Sequence, residues 1–262
     1  MARDLAIATD DAAGRFGARV RALEPLVGTL VTVPNVGLAE LTAGPVDFVW
    51  IDLEHGALGI GDVQGLAVAA TAARSVALVR LADGAHPGAV LDAGVDGVVA
   101  PHVDEPAAAA RLIERLRYPP RGSRGVAARR GRDYGRRGLT EVDPVCMVQI
   151  ESPRAVDRAA EIASVEGVDA LVVGCADLSH SLGEGGRLGS PAMAEAVEHV
   201  QLAAACADIA SGIAGPDDPG ALAELGGGRA SVFLLAADVR LYARALDSAV
   251  GALRRELAGV GA

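Results

Sequence analysis

Apolar runs rich in Val, Leu and Ile recur eight times along this chain, near residues 26–33, 48–52, 76–81, 98–101, 145–151, 170–174, 209–214 and 231–236. Most are continuous rather than alternating. A strand with one wet face alternates; a strand buried on both faces does not, and strands of a parallel sheet read this way. Parallel strands need long crossovers. Ala-rich helical stretches near 63–73, 87–93, 106–116, 152–163 and 191–207 supply them. Eight strands alternating with helices predict an α/β fold, a (β/α)8 TIM barrel spanning 1–262 as one domain, with a doubly wound open sheet as the alternative. Ser152-Pro153 and Ser190-Pro191 read as N-caps followed by proline in the first turn. Neither an internal repeat nor a domain linker is visible. The stretch 118–138, with Pro119, Pro120 and many arginines, lacks periodicity and reads as a functional or a poorly ordered loop.

Composition removes several classes of function. The 24 basic residues are all arginine, against 34 acidic ones, for a net charge of −10. A high-GC coding bias accounts for the missing lysine, but the chemical consequence stands: no Schiff-base lysine, no PLP aldimine and no P-loop lysine. Carbonyl chemistry here needs another electron sink, such as a metal ion. The acidic balance argues against nucleic acid as a partner. No apolar run reaches the roughly 18–20 residues of a membrane span. The N-terminus carries no apolar signal segment, and the odd number of cysteines (Cys146, Cys175, Cys206) suits a reducing compartment, so a cytoplasmic protein is expected. The three cysteines read as small core residues, with Cys175 close to the strand ends.

Barrel enzymes place their chemistry at the C-terminal ends of the strands. The polar residues there are Asp52, Glu54 and His55 after strand 2, Arg80 after strand 3, His102 after strand 4, Gln149 and Glu151 after strand 5, Asp177 after strand 6, and Asp238 after strand 8. Glu151 and Asp177 end consecutive strands and make a hard, oxygen-rich pair suited to Mg²⁺ or Mn²⁺; equally, each could cap the helix that follows it. His55 is either a general base or an ion-pair partner of Asp52 and Glu54. Arg80 must meet a carboxylate, a phosphate or a developing oxyanion. His102 is a weaker candidate, and His86, His180 and His199 fall in loops or on helix faces.

The order of these motifs resembles one family. Asp47-Phe48-Val49-Trp50-Ile51-Asp52-Leu53-Glu54-His55-Gly56, then Arg80, then Leu91-Asp92-Ala93-Gly94, is similar to the signature of HpcH/HpaI aldolases, which are metal-dependent (class II) 2-keto-acid aldolases related to the citrate lyase β-subunit. Arg117-Tyr118-Pro119-Pro120-Arg121-Gly122-Ser123-Arg124-Gly125, Val148-Gln149-Ile150-Glu151 and Gly174-Cys175-Ala176-Asp177 continue the resemblance in order. It implies a divalent metal (Mg²⁺, Mn²⁺ or Co²⁺) on Glu151 and Asp177, and a keto acid beside Gln149, Gly174 and Ala176. It implies Arg80 at the enolate oxygen, His55 in the acid–base machinery, and Asp52 and Asp92 as acids near that histidine, one of them reaching across a subunit boundary. It further implies a dimer-based hexamer with the last helix, near 241–257, exchanged between subunits. The chain departs from the family pattern in having Cys175 where proline is usual, Ala236-Ala237-Asp238 near strand 8, and a shortened arginine-rich loop.

The resulting expectation is a carbon–carbon lyase joining or splitting a 2-keto acid such as pyruvate and an aldehyde. The alternatives are a condensing enzyme of citrate-synthase type, using oxaloacetate and acetyl-CoA in siderophore or other specialised biosynthesis, with the arginine-rich loop holding carboxylates or a CoA phosphate; an oxaloacetate decarboxylase; and a non-catalytic ligand-binding barrel.

Overall fold

The computed structural model describes residues 9–136, 138–139 and 143–260. Eight parallel strands close in sequence order: β1 (Leu26–Val31), β2 (Phe48–Asp52), β3 (Val76–Arg80), β4 (Gly97–Ala100), β5 (Val145–Ile150), β6 (Ala170–Gly174), β7 (Ala210–Ala214) and β8 (Val232–Leu234). β8 pairs with β1, so no sheet edge remains and the open-sheet alternative is excluded. Around the barrel run α1 (Thr9–Arg21), α2 (Val36–Ala43), α3 (Ile60–Ala72), α4 (Pro87–Asp92), α5 (Pro106–Leu116), α6 (Pro153–Asp157), α7 (Ala159–Ala163), α8 (Cys175–Ser181), α9 (Pro191–Cys206), α10 (Pro219–Gly226) and α11 (Asp238–Val260). The hydroxyls of Ser152 and Ser190 accept the N–H groups of Ala155 and Met193, so both expected caps form. The expected helix 152–163 is two helices, because Arg158 leaves helical backbone (φ −107°, ψ 10°) between α6 and α7.

Alternate residues on each strand divide the core. Val49, Ile51, Val79 and Val98 pack outward against α2 and α3 and their neighbours. Phe48, Trp50, Leu78, Val99, Met147 and Val172 fill the barrel interior. α1, absent from the sequence reading, contributes Phe16 and Val20 to that interior cluster, with the Phe16 and Phe48 rings 5.7 Å apart. Large rings inside a narrow barrel need small residues opposite. A Cβ on Gly28 would lie 2.2 Å from the Phe48 ring, so glycine is required there.

A recurring clamp fixes strand register at the strand N-termini. Asp47, Asp96 and Asp169 each precede an even-numbered strand. Their carboxylates accept the N–H groups of Val27, Ala77 and Cys146, the second residues of β1, β3 and β5, at 3.0, 3.0 and 2.9 Å. The backbone N–H of each aspartate returns to the carbonyl of the same partner. Each clamp closes a two-bond ring between strands, a recurrence too short to register as a sequence repeat.

The described part of 118–138 is ordered by its own arginines. Arg117 and Arg121 share Asp143, Arg124 stacks on Tyr118 and pairs with Asp92, and buried Arg130 donates to the carbonyl of Gly94. As a helix-to-strand connection it lies at the N-terminal rim, away from the mouth of its own barrel; Arg137 lies outside the described residues. Cys146 and Cys175 are buried as expected, but Cys206 is exposed because it ends the outer helix α9.

Burial pushes the Asp96 carboxyl up to about 6, against the Ala77 N–H and the charge of Arg130, which pull it down. The folded state therefore holds this proton more tightly than the unfolded chain. Between about pH 4 and 6 the native state binds more protons, so the Asp96 contribution to stability falls as pH rises through this window. Asp96→Asn keeps an oxygen for the Ala77 N–H and removes the buried charge. Urea denaturation from pH 4 to 7 is expected to show the variant gaining stability relative to wild type as pH rises.

Candidate active site

Asp52 and Arg80 end β2 and β3 and are register partners, so both side chains enter the barrel mouth side by side. Arg80 Nε donates to Asp52 Oδ1 at 2.9 Å and Nη2 to Oδ2 at 2.6 Å, a planar fork on a carboxylate. Arg80 Nη1 lies 3.1 Å from Glu54 Oε2. Asp52 also accepts the N–H groups of Glu54 and His55, which folds the chain sharply after β2. Gly56 completes this turn: a Cβ there would sit 2.4 Å from the Asp52 carbonyl. The spacing D-x-E-H-G is thus a turn built on one carboxylate. Burial alone would raise the Asp52 carboxyl, but Arg80 and the two N–H groups outweigh it and hold it below its ordinary value.

Across the mouth, the Glu151 carboxylate points inward instead of capping α6, a role that Ser152 fills. Its Oε1 accepts the backbone N–H of His102 at 2.6 Å and faces His102 Nδ1 at 2.9 Å, while Oε2 accepts Gln149 Nε2 at 2.9 Å. His102 Nε2 lies 2.9 Å from Glu54 Oε1. Burial pushes the Glu151 carboxyl above its ordinary value; the His102 N–H and ring oppose this, and the charges of Glu54 and Asp177 add to it. Asp177 is exposed in the first turn of α8.

These groups suit a divalent cation. Glu54, His102 and Glu151 bring ligand-type atoms within 4.8 Å of one another. The carboxylates of Glu54, Glu151 and Asp177 repel each other at Glu151. Gln149 Oε1 is buried without a partner. Gly174 leaves room at the centre: a Cβ there would lie 2.9 Å from Glu151 Oε2. A divalent ion there would relieve the repulsion between these carboxylates.

The structure therefore gathers Asp52, Arg80, Gln149, Glu151 and Gly174, with Ala176 and Asp177 at the rim. His55 is exposed at the edge, its Nε2 3.8 Å from Glu54. Asp92 stands apart: it ends α4, which leads to the N-terminal end of β4, and pairs with Arg124 at 2.9 Å. It does not join the mouth of its own chain, because a helix that follows a strand carries the chain back to the opposite rim. Asp238 is buried and structural, accepting the N–H and hydroxyl of Thr32 at 3.0 and 2.5 Å. Glu54 and His102 also occupy the mouth, in contact with each other. Glu54 was visible in its motif, but nothing local marks His102 as central. The Cys175 thiol is pushed up to about 12 by burial, against the Ala214 backbone, and acts as a small core group.

The HpcH/HpaI aldolase/citrate lyase family model matches residues 37–223. The chain is 36% identical over 216 residues to a hydroxypyruvate/pyruvate aldolase of Delftia acidovorans, covering 78% of this chain and 79% of that one. It is 34% identical over 192 residues to a 2-keto-3-deoxy-L-rhamnonate aldolase of Escherichia coli, covering 70% and 72%. A crystal structure of an HpcH/HpaI aldolase/citrate lyase family protein from Burkholderia cenocepacia superposes with a TM-score of 0.87 at 32% identity, covering 92% and 99%. With the barrel, the ordered motifs and these likenesses together, the chain belongs to the HpcH/HpaI aldolase/citrate lyase family.

Proposed function

We propose that this chain, as a single barrel domain, is a metal-dependent aldolase that makes or breaks a carbon–carbon bond at the enolate of pyruvate or a related 2-keto acid. The observation that carries the reading is the buried Glu151 carboxylate grouped with Glu54 and His102 and raised by the charges of Glu54 and Asp177, beside the Arg80 fork, in a chain without lysine. The names of the two aldolase relatives support it over the condensing, decarboxylating and non-catalytic alternatives.

Glu151 and Asp177 would hold the ion, Mg²⁺, Mn²⁺ or Co²⁺, and its chemistry is Lewis-acid polarisation of the keto group. Arg80 has five N–H groups, three of them directed at Asp52 and Glu54; the others are free to donate to the enolate oxygen. Asp52 fixes the guanidinium plane. Gln149 orients the keto acid, and Gly174 and Ala176 leave room for it. His55, at the exposed edge, moves the proton of the aldol hydroxyl between substrate and solvent. Asp92 acts in the mouth of a neighbouring copy rather than its own. The aldehyde enters from the open side of the mouth.

A homo-oligomer, a hexamer built from dimers, follows from α11. Its first turns tie to the body through Arg240 and Arg244 on Asp217. Tyr242, Leu246, Val250, Leu253 and Leu257 form an exposed apolar stripe along the helix at helical spacing. Exchange of this helix between subunits covers the stripe. Among the described residues no helix is long and apolar enough to cross a membrane. The unpaired cysteines support a cytoplasmic location.

Three outcomes are expected. EDTA abolishes pyruvate-dependent aldol activity and Mn²⁺ restores it, while Glu151→Gln and Asp177→Asn each weaken Mn²⁺ binding in calorimetry; full activity in a metal-free preparation contradicts the reading. Arg80→Lys keeps the charge but loses the planar fork. It is expected to lower kcat by roughly two decades, as loss of an oxyanion donor does, with Mn²⁺ affinity little changed; an unchanged kcat removes Arg80 from the mechanism. Light scattering at micromolar concentration gives an oligomer, and a monomer rules out the exchanged helix.

A further inference from the structure

One side chain in the mouth has no part in the reaction just described. His102 sits at φ 55°, in the left-handed region that a residue with a Cβ adopts at an energetic cost. The strain delivers three contacts at once. The backbone N–H and Nδ1 both meet Glu151 Oε1, and Nε2 meets Glu54 Oε1. Glu54 in turn lies on Arg80, and Arg80 on Asp52. His102 is therefore the link between the arginine half of the mouth and the carboxylate half. The ring is itself 57% exposed, so burial of its own surface does not explain the conformation; its polar partners do.

Both oxygens of Glu151 are held from fixed directions: Oε1 by His102, Oε2 by Gln149. Two opposite donors on one carboxylate lock its rotation. The ring also stands between Glu54 and Glu151, with a nitrogen on each, so an ion shared by those two acids has to displace it. We propose that His102 is a positioning residue for the metal carboxylate: it fixes the orientation of Glu151 and keeps the cation on the Asp177 side by occupying the gap toward Glu54. This inference rests on the metal reading above. Glu54, His102 and Glu151 bring ligand-type atoms together on their own; the proposal places the ion with Glu151 and Asp177 and gives His102 the role of supporting that set, with its ring nitrogens kept on the two carboxylates.

The test is calorimetric titration of the purified protein with Mn²⁺ alone, on wild type, His102→Ala, His102→Gly and His102→Asn, with thermal melting to confirm folding. Partners that orient a metal ligand typically contribute about 10–100-fold in affinity. His102→Ala and His102→Gly are expected to bind Mn²⁺ that much more weakly, whereas His102→Asn, which tolerates left-handed backbone and retains an N–H donor, recovers part of the loss. Glycine removes both the ring and the strain. If His102→Gly binds as tightly as wild type, backbone strain and not the ring sets affinity, and the proposal fails. If His102→Ala binds as tightly or more tightly, the ring competes with the ion and the proposal also fails. If His102→Ala does not fold, the glycine and asparagine variants decide. Wild type that takes up no Mn²⁺ overturns the metal reading itself, a result distinct from variants that match a competent wild type.

Discussion

The Arg80–Asp52 pair at the ends of β2 and β3 organises the mouth of this barrel. Taking two charges out of water is costly, and only good geometry with further hydrogen bonds offsets it. Asp52 meets that condition with two bonds from the guanidinium and two from the turn that follows it. The same turn delivers Glu54 to Arg80, Glu54 faces His102, and His102 holds Glu151. The site is thus one connected chain of polar contacts across four strand ends.

Such a cluster needs a rigid frame, and the other end of the barrel supplies it. Phe16, Phe48 and Trp50 pack the lower interior, and Gly28 gives the Phe48 ring its space. The aspartate clamps at 47, 96 and 169 fix the register of the β1–β2, β3–β4 and β5–β6 pairs; between them, the β2–β3 backbone ladder sets Asp52 opposite Arg80. Stability is thereby concentrated at the N-terminal end and chemistry at the C-terminal end, as barrel geometry favours.

The arginine-rich segment and Asp92 belong to the opposite rim and are tied to each other through Arg124. If Asp92 serves a neighbouring mouth, the same arginines that order this rim also set where one subunit meets the next. Assembly and catalysis then share residues, and the exposed stripe of α11 belongs to the same problem of covering what a lone barrel leaves open.

The sequence by itself determined the alternation of strands and helices, the caps at Ser152 and Ser190, the exclusion of lysine chemistry, and the identity of Asp52, Arg80, Gln149 and Glu151 as strand-end groups. Each rests on local pattern, which survives in one dimension. Tertiary structure decided the rest. Closure of β8 on β1 brought the strand ends to one place. The return of the chain through α4 set Asp92 at the opposite rim of its own barrel, on Arg124. The helix read over 152–163 broke at Arg158, and Cys206 came out at the exposed end of α9. His102 became central because Glu54 and Glu151, from different strands, meet its two ring nitrogens. A residue's partners across a barrel depend on register and closure, and neither is written at the residue itself.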